Sequence, residues 1–372
     1  MKPIHSLSRE SQISIAYFIS PHGFGHAARA SAVIEAIQTL RPDVHFHLFT
    51  TVPEWFFRNI SNSNWTYHSM RCDIGLVQKS ALREDVDATL RELGKFLPFS
   101  EAQLQALVDG VRSSGCKLVL CDIAPLGLAV AKKAGLPSVL IENFTWDWIY
   151  AGYPAYRRPF QPFIDYLAAV FQSASRHVRT QPFCESSPAD LVTRPVSRKP
   201  RAGRAETRKR LGIGLDQKAV LITMGGIPDR LDVDALKSAY PKITFVVPGG
   251  SDAEQRTANL ILLPHEHAYF HPDLVAASDA VLGKVGYSTI AEVYWAGVPF
   301  AYVSRQDFRE SPPLTEFIRA HIPGFEIEQA QFENGAWQRR IGELLEISGV
   351  TRDGENGADQ ISNDLVRLNF LS

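Results

Sequence analysis

Short apolar runs rich in β-branched and aromatic residues alternate along this chain with segments of helical periodicity, separated by loops marked with glycine or proline. Residues 13–19 predict a strand, 20–25 a loop and 27–40 a helix. Residues 44–50 predict a second strand and 53–60 a short helix. A further strand is expected at 117–121 with Asp122 at its end, then a helix over 126–134 and a strand at 137–141. This alternation calls for a parallel sheet covered by helices on both faces. Residues 83–111 read as mostly helical, interrupted near Pro98, and form an excursion within the first domain.

The pattern then restarts. Residues 182–205, rich in proline, serine and arginine, read as a linker. Strands are expected after it at 219–224, 244–247, 260–263, 280–282 and 299–303, with a clear helix at 288–296. The division is therefore a first domain at 1–181, a linker at 182–205 and a second domain at 206–336. A helical segment at 337–372 is expected to pack back onto the first domain.

Composition narrows the classes. A chain of 372 residues holds two ordinary domains, and 45% hydrophobic with 21% charged residues is a normal globular balance. A formal charge of −1 gives no global electrostatic case for nucleic acid. The four cysteines form no C-x-x-C pair and read as reduced thiols. The first dozen residues lack the apolar core of a signal peptide, and no apolar run reaches the roughly 18 residues of a membrane span. The expected compartment is the cytoplasm. Eight lysines and arginines between positions 194 and 210 read first as a solvated linker and helix face. Peripheral contact with an anionic membrane stays open on that count.

Two loops carry chemistry. In the first, Gly23 and Gly25 let the backbone turn tightly and leave a helix N-terminus facing a ligand. The spacing Gly23-x-Gly25-x-x-Ala28 fits a dinucleotide fingerprint, but no acidic residue ends the second strand to hold a ribose, which argues against NAD. His26, at the junction of loop and helix, is placed as a general base, and His22 is read as structural within an acceptor loop of His22, Gly23 and Gly25. In the second, a buried strand ends in Gly283 and Lys284, the chain turns at Gly286, and Ser288 and Thr289 open a helix. Such a helix start binds phosphate, Lys284 adds a cation, and Glu292 one turn on can accept ribose hydroxyls.

Gly286-Tyr287-Ser288-Thr289-Ile290-Ala291-Glu292, followed by Ala296-Gly297-Val298-Pro299, resembles the nucleotide-sugar signature of inverting GT-B glycosyltransferases. These include the peptidoglycan N-acetylglucosaminyltransferase and the UDP-glycosyltransferases. The H-G-F-G-H loop and the G-K-x-G-Y pattern are also similar to the glycosyltransferase-like N-terminal region of plant arabinokinases. The resemblance implies a GT-B fold, two Rossmann-like domains facing each other across a cleft. It implies that Glu292 binds the donor ribose and that Ser288 and Thr289 bind its diphosphate, approached by the Gly225-Gly226 turn. Residues 264–269 would hold the base, with uracil expected. His26 and Asp122 fall where the UDP-glycosyltransferases keep a catalytic histidine and the aspartate that orients it. Arg309-Glu310 stands near the acidic-glutamine pair that reads the donor sugar in those enzymes, and the departure leaves the sugar open. No cofactor beyond the nucleotide-sugar substrate is implied, and no metal, although His265 and His267 invite that reading.

The expected activity is a glycosyltransferase of hexosyltransferase type, moving a sugar from a UDP-sugar to an unidentified acceptor hydroxyl by inverting displacement. Phe144, Trp146, Trp148, Tyr150, Tyr153 and Tyr156 would suit a sugar, phenolic or lipid-linked acceptor. Two alternatives share the fold: a non-catalytic nucleotide-sugar sensor and a nucleotide-sugar 2-epimerase.

Overall fold

A computed structural model describes residues 13–80, 83–224, 234–305 and 308–371. The first half runs β1 (Ser14–Ile19), α1 (Gly25–Leu40), β2 (His45–Thr50), β3 (Trp65–Ser69), then a small hairpin of β4 (Gln78–Ser80) and β5 (Arg83–Glu84). It continues through α2 (Val86–Phe96), α3 (Glu101–Ser113), β6 (Cys116–Asp122), α4 (Pro125–Ala134), β7 (Ser138–Glu142), α5 (Trp146–Ala151), α6 (Arg157–Phe171), β8 (Arg176–Thr180) and β9 (Leu191–Thr193). Its seven-stranded sheet has the order β3-β2-β1-β6-β7-β8-β9 and is parallel throughout. The central strands are buried on both faces, and for that reason β6 reads as a continuous apolar run instead of an alternating one.

The second half holds α7 (Arg204–Leu211), β10 (Lys218–Thr223), α8 (Asp234–Ala239), β11 (Ile243–Pro248), β12 (Gln255–Thr257), β13 (Leu260–Leu263) and α9 (His271–Ala277). After these come β14 (Ala280–Lys284), α10 (Tyr287–Ala296), β15 (Phe300–Val303), α11 (Ser311–His321), β16 (Gly324–Ile327), α12 (Gln329–Glu333) and α13 (Ile341–Glu346). The second sheet has the order β12-β13-β11-β10-β14-β15-β16, with β12 its one antiparallel strand. A final helix, α14 (Gly357–Arg367), lies against α1, where Ala358, Ile361 and Leu365 join a core with Val33, Ile34 and Ile37.

Three sequence expectations change. The segment read as a linker contains β9, which pairs with β8 and completes the first sheet. Three residues between prolines and arginines are too few to show a period of two. The terminal segment is divided: Trp337, Ile341 and Leu344 fill the core of the second domain, and α14 alone among its helices lies on the first. The basic run is solvated only in part. Arg198 is 8% exposed and Arg208 fully buried; Arg201 pairs with Glu35, and Lys199 with Asp359. Lys199, Arg201, Arg204, Lys209 and Arg210 nevertheless remain exposed, as a solvated face requires.

No helix among the described residues is long and apolar enough to cross a membrane.

Candidate active site at the domain cleft

The ends of strands from both sheets supply the walls of two joined cavities, with open volumes of about 730 and 660 Å³. They share Phe24, Ser288 and Thr289. This is the C-terminal edge of a parallel sheet, where open α/β folds place their ligands.

Two helix N-termini meet here. α1 begins at Gly25 and α10 at Tyr287, and neither receives a hydrogen bond from a capping side chain. A Cβ on Gly25 would stand 3.7 Å from Ser288 Oγ, so the two starts face one another closely. Uncapped N–H groups at a helix start carry partial positive charge and favour an anion.

On the first-domain side, His26 Nδ1 lies 2.9 Å from Asp122 Oδ1. Two lone pairs would repel at that distance, so Nδ1 carries the proton and donates it to the carboxylate. Nε2 is then the nitrogen left for chemistry on a side chain that lines the cavity. Asp122 is completely buried and also receives two hydrogen bonds from Arg29, Nε to Oδ2 at 2.8 Å and Nη2 to Oδ1 at 2.6 Å. Burial pushes the Asp122 carboxyl upward, but the Arg29 charge and the bonds from Arg29 and His26 outweigh it and hold the group below its usual range. Immediately after it, Ile123 sits at φ 53°, a region that a β-branched residue rarely adopts. Backbone strain at this point accompanies the fixed direction of the Asp122 side chain.

The network continues into the second domain. Arg29 Nη1 donates to Asn143 Oδ1 at 2.7 Å, and Asn143 Nδ2 donates to Glu310 Oε1 at 2.9 Å. Arg29 also stacks 4.6 Å from the centroid of Tyr287, whose hydroxyl accepts the Val196 N–H. Beside His26 lies Asp73, 3% exposed, with Oδ2 accepting from Trp146 Nε1 at 2.9 Å. Burial raises its pKa to about 6.

His22, Gly23, Gly25, His26, Lys284, Gly286, Ser288, Thr289 and Glu310 all line one cavity. His22 accepts the Leu76 N–H and packs edge-on against Trp146, over Gly75, where any Cβ would meet its ring at 2.7 Å. Its pKa is pushed well down by burial first, then by the charges of Arg305, His26 and Lys284.

Glu292 departs from expectation. Oε1 accepts two bonds from Arg198, at 2.7 and 3.1 Å, and Oε2 is 2.6 Å from His271 Nδ1. The carboxylate is 4% exposed and outside the lining of both cavities, while Arg198 and His271 line the first. Burial raises its pKa, but Arg198 and His271 prevail and bring it to about 2. Glu292 thus orients two cavity groups instead of facing the cavity itself. Gly225 and Gly226 lie outside the described residues.

In the segment expected to face a base, His265, His267 and Tyr269 line the first cavity, and buried His265 Nε2 has no hydrogen-bond partner among the described residues. Of the six expected acceptor aromatics, only Phe144 reaches the lining of either cavity. Trp146, Tyr150 and Tyr153 are core, each less than 10% exposed. Trp148 instead stacks under Arg309, which hydrogen-bonds the Trp148 carbonyl.

Arg29, Asn143, Arg198, His271 and Arg305 were not singled out from sequence. Arg29 carried a signal, being an arginine three residues after His26 on the same helix, hence on the same face. The others gave none.

Comparison with known proteins bears on the fold. L-arabinokinase of Arabidopsis thaliana is 30% identical over 352 residues, covering 92% of this chain and 33% of the relative. The chain therefore spans about a third of the length of the curated relative it matches. The glycosyltransferase SnogD from Streptomyces nogalater superposes with a TM-score of 0.57 at 16% identity, over 96% of this chain and 99% of its own. The glycosyltransferase VinC, solved in complex with dTDP, gives 0.57 at 13% identity, over 97% and 100%. No model of a known protein family matches the chain. The chain has the GT-B fold, with two parallel-sheet α/β domains.

Proposed function

We propose that this GT-B chain is a glycosyltransferase that moves a sugar from a nucleoside diphosphate sugar, a UDP-sugar, to an acceptor hydroxyl with inversion. The observation that carries the reading is the His26–Asp122 pair set opposite an uncapped helix start within one cavity. The acceptor oxygen forms a bond to the anomeric carbon as the bond from that carbon to the β-phosphate oxygen breaks. His26 Nε2 takes the acceptor proton, and Asp122 stabilises the imidazolium so formed. The leaving diphosphate carries its charge toward the α10 N-terminus, Ser288, Thr289 and Lys284. Arg29 is a positioning residue that keeps Asp122 ionised and fixed. The nucleoside would lie in the first cavity, with His265 Nε2 available to the base and Arg198 and His271, held by Glu292, toward the ribose.

One experiment tests both halves. UDP, dTDP, GDP and ADP are screened for thermal stabilisation of wild-type protein and His26→Ala, and turnover of UDP-sugars is measured over an acceptor panel. UDP should raise the melting temperature of both proteins equally. His26→Ala should lose about 10²–10⁴ in turnover. If no nucleotide shifts the melting curve, the donor site is wrongly assigned. Nucleotide binding without turnover in the wild type would turn the reading to a sensor.

A further inference from the structure

Arg305 follows β15 and lines the cavity that holds His26, yet only 6% of it is exposed. Its guanidinium makes no hydrogen bond to any described residue, and Nε is sealed from solvent without a partner. The nearest carboxylate oxygen, Glu310 Oε2, stands 3.7 Å from Nη2, beyond hydrogen-bond reach, and Glu310 gives its other oxygen to Asn143. The ring of Phe308 covers one face of the guanidinium, 3.4 Å from Cζ. Buried cations are ordinarily paired and hydrogen-bonded, because desolvation is otherwise expensive. Burial accordingly depresses the Arg305 pKa.

Its place along the cleft narrows what it can meet. The two cavities join at Phe24, Ser288 and Thr289; Arg305, Gln78 and Glu310 line the second and not the first. A nucleotide with its base in the first cavity and its diphosphate at the α10 N-terminus would direct its sugar toward Arg305. Lys284 and the helix start already serve the diphosphate, so Arg305 is a cation beyond it. A planar guanidinium fork matches a carboxylate with two parallel hydrogen bonds.

We propose that Arg305 receives a carboxylate on the sugar end of the substrate, so that the cleft takes a uronate in preference to a neutral sugar. This rests on the donor reading above. The carboxylate can arrive on the donor sugar or on an acidic acceptor, and calorimetry separates the two. UDP, UDP-glucose and UDP-glucuronate are titrated into wild-type protein, and free glucuronate or glucose into UDP-saturated protein. A donor carboxylate makes UDP-glucuronate bind about 10–100-fold tighter than UDP-glucose, the range for a hydrogen bond to a charged group. An acceptor carboxylate makes glucuronate, and not glucose, bind the UDP-saturated protein.

In either case Arg305→Gln should abolish the discrimination and leave UDP affinity unchanged, while Arg305→Lys should keep part of it. Equal binding of acidic and neutral sugars in both arms would overturn the proposal while leaving the donor site standing. So would an Arg305→Gln variant that weakens UDP and UDP-glucose as much as UDP-glucuronate, since Arg305 would then be a diphosphate cation. Failure of wild-type protein to bind UDP at all would remove the donor reading and this proposal with it.

Discussion

The two walls of the cleft are built on opposite plans. On the first-domain wall, His26, Asp122, Arg29 and Asn143 satisfy one another through a buried hydrogen-bond chain that ends at Glu310. On the second-domain wall the charged and ring groups are less completely bonded: Arg305 Nε and His265 Nε2 are buried with no hydrogen-bond partner among the described residues, while both walls share an uncapped helix start and the first keeps such an atom of its own, Asp73 Oδ1. On the proposed function, the difference separates the wall that would carry the base from the wall that would receive the donor. A saturated network fixes geometry before any ligand arrives, whereas unpaired buried donors carry a desolvation cost that a ligand relieves.

The sharpest way to break this contrast is to remove a charge from each wall and compare stabilities without ligand. Arg29→Met removes the permanent cation beside the buried Asp122 carboxylate, leaving it the His26 Nδ1 contact, and should cost about 3–5 kcal/mol in chemical denaturation. Arg29→Met with Asp122→Asn should recover part of the loss. Arg305→Gln should leave stability unchanged or raise it, because no hydrogen bond is lost. If both arginines cost the same, the walls do not differ as described.

Glu292 sharpens the comparison, since it is the saturated element within the second-domain wall. Its folded pKa of about 2 lies below the ordinary carboxyl value of 4.5. The ion pairs therefore stabilise the fold above about pH 4.5, and the contribution is lost as pH falls through the folded value. At neutral pH it amounts to about 3 kcal/mol, from about 1.4 kcal/mol per pKa unit. Glu292→Gln should be less stable than wild type by about that much at pH 7, with the gap closing between pH 4.5 and 2. A gap that stays constant across that range would mean the charge of Glu292 is not what matters.

The smallest effect belongs to Asp73, which has the opposite sign. Its folded pKa of about 6 lies above the ordinary 3.8, so stability from this group is full below pH 3.8 and lost as pH rises through 6. Asp73→Asn keeps an oxygen for Trp146 Nε1 and removes the ionisation cost. Relative to wild type it should gain at most about 3 kcal/mol between pH 4 and pH 7, read from urea melts at several pH values. A pH-independent difference would place the Asp73 carboxyl in a wetter environment than its burial implies.

Much of this was legible in the chain. The alternation of apolar runs and helical periods specified two parallel-sheet domains, because strands buried on both faces and helices buried on one leave different patterns. The two glycine loops marked the helix starts that meet at the cleft, since tight turns at strand ends need residues without a side chain. His26, Asp122, Lys284 and Ser288 stood out because they fall at the ends of predicted strands or the starts of predicted helices. Strands β3, β8 and β9 were not read, being polar or short edge segments whose pattern is too weak to show.

What only the tertiary structure decided is partnership. Asp122 meets Arg29 across 93 positions, Glu292 meets Arg198 across 94, and Asn143 meets Glu310 across 167. Sequence supplies residue types and local spacing, but whether a carboxylate faces a ligand or an arginine depends on how distant elements pack. Glu292 was expected at a ribose and is turned to Arg198 and His271; Arg305 gave no signal, yet its Nε is buried with no hydrogen-bond partner among the described residues. Pairing energies inside a low-dielectric cleft outweigh local preference, and they are set by three-dimensional neighbours that no linear pattern records.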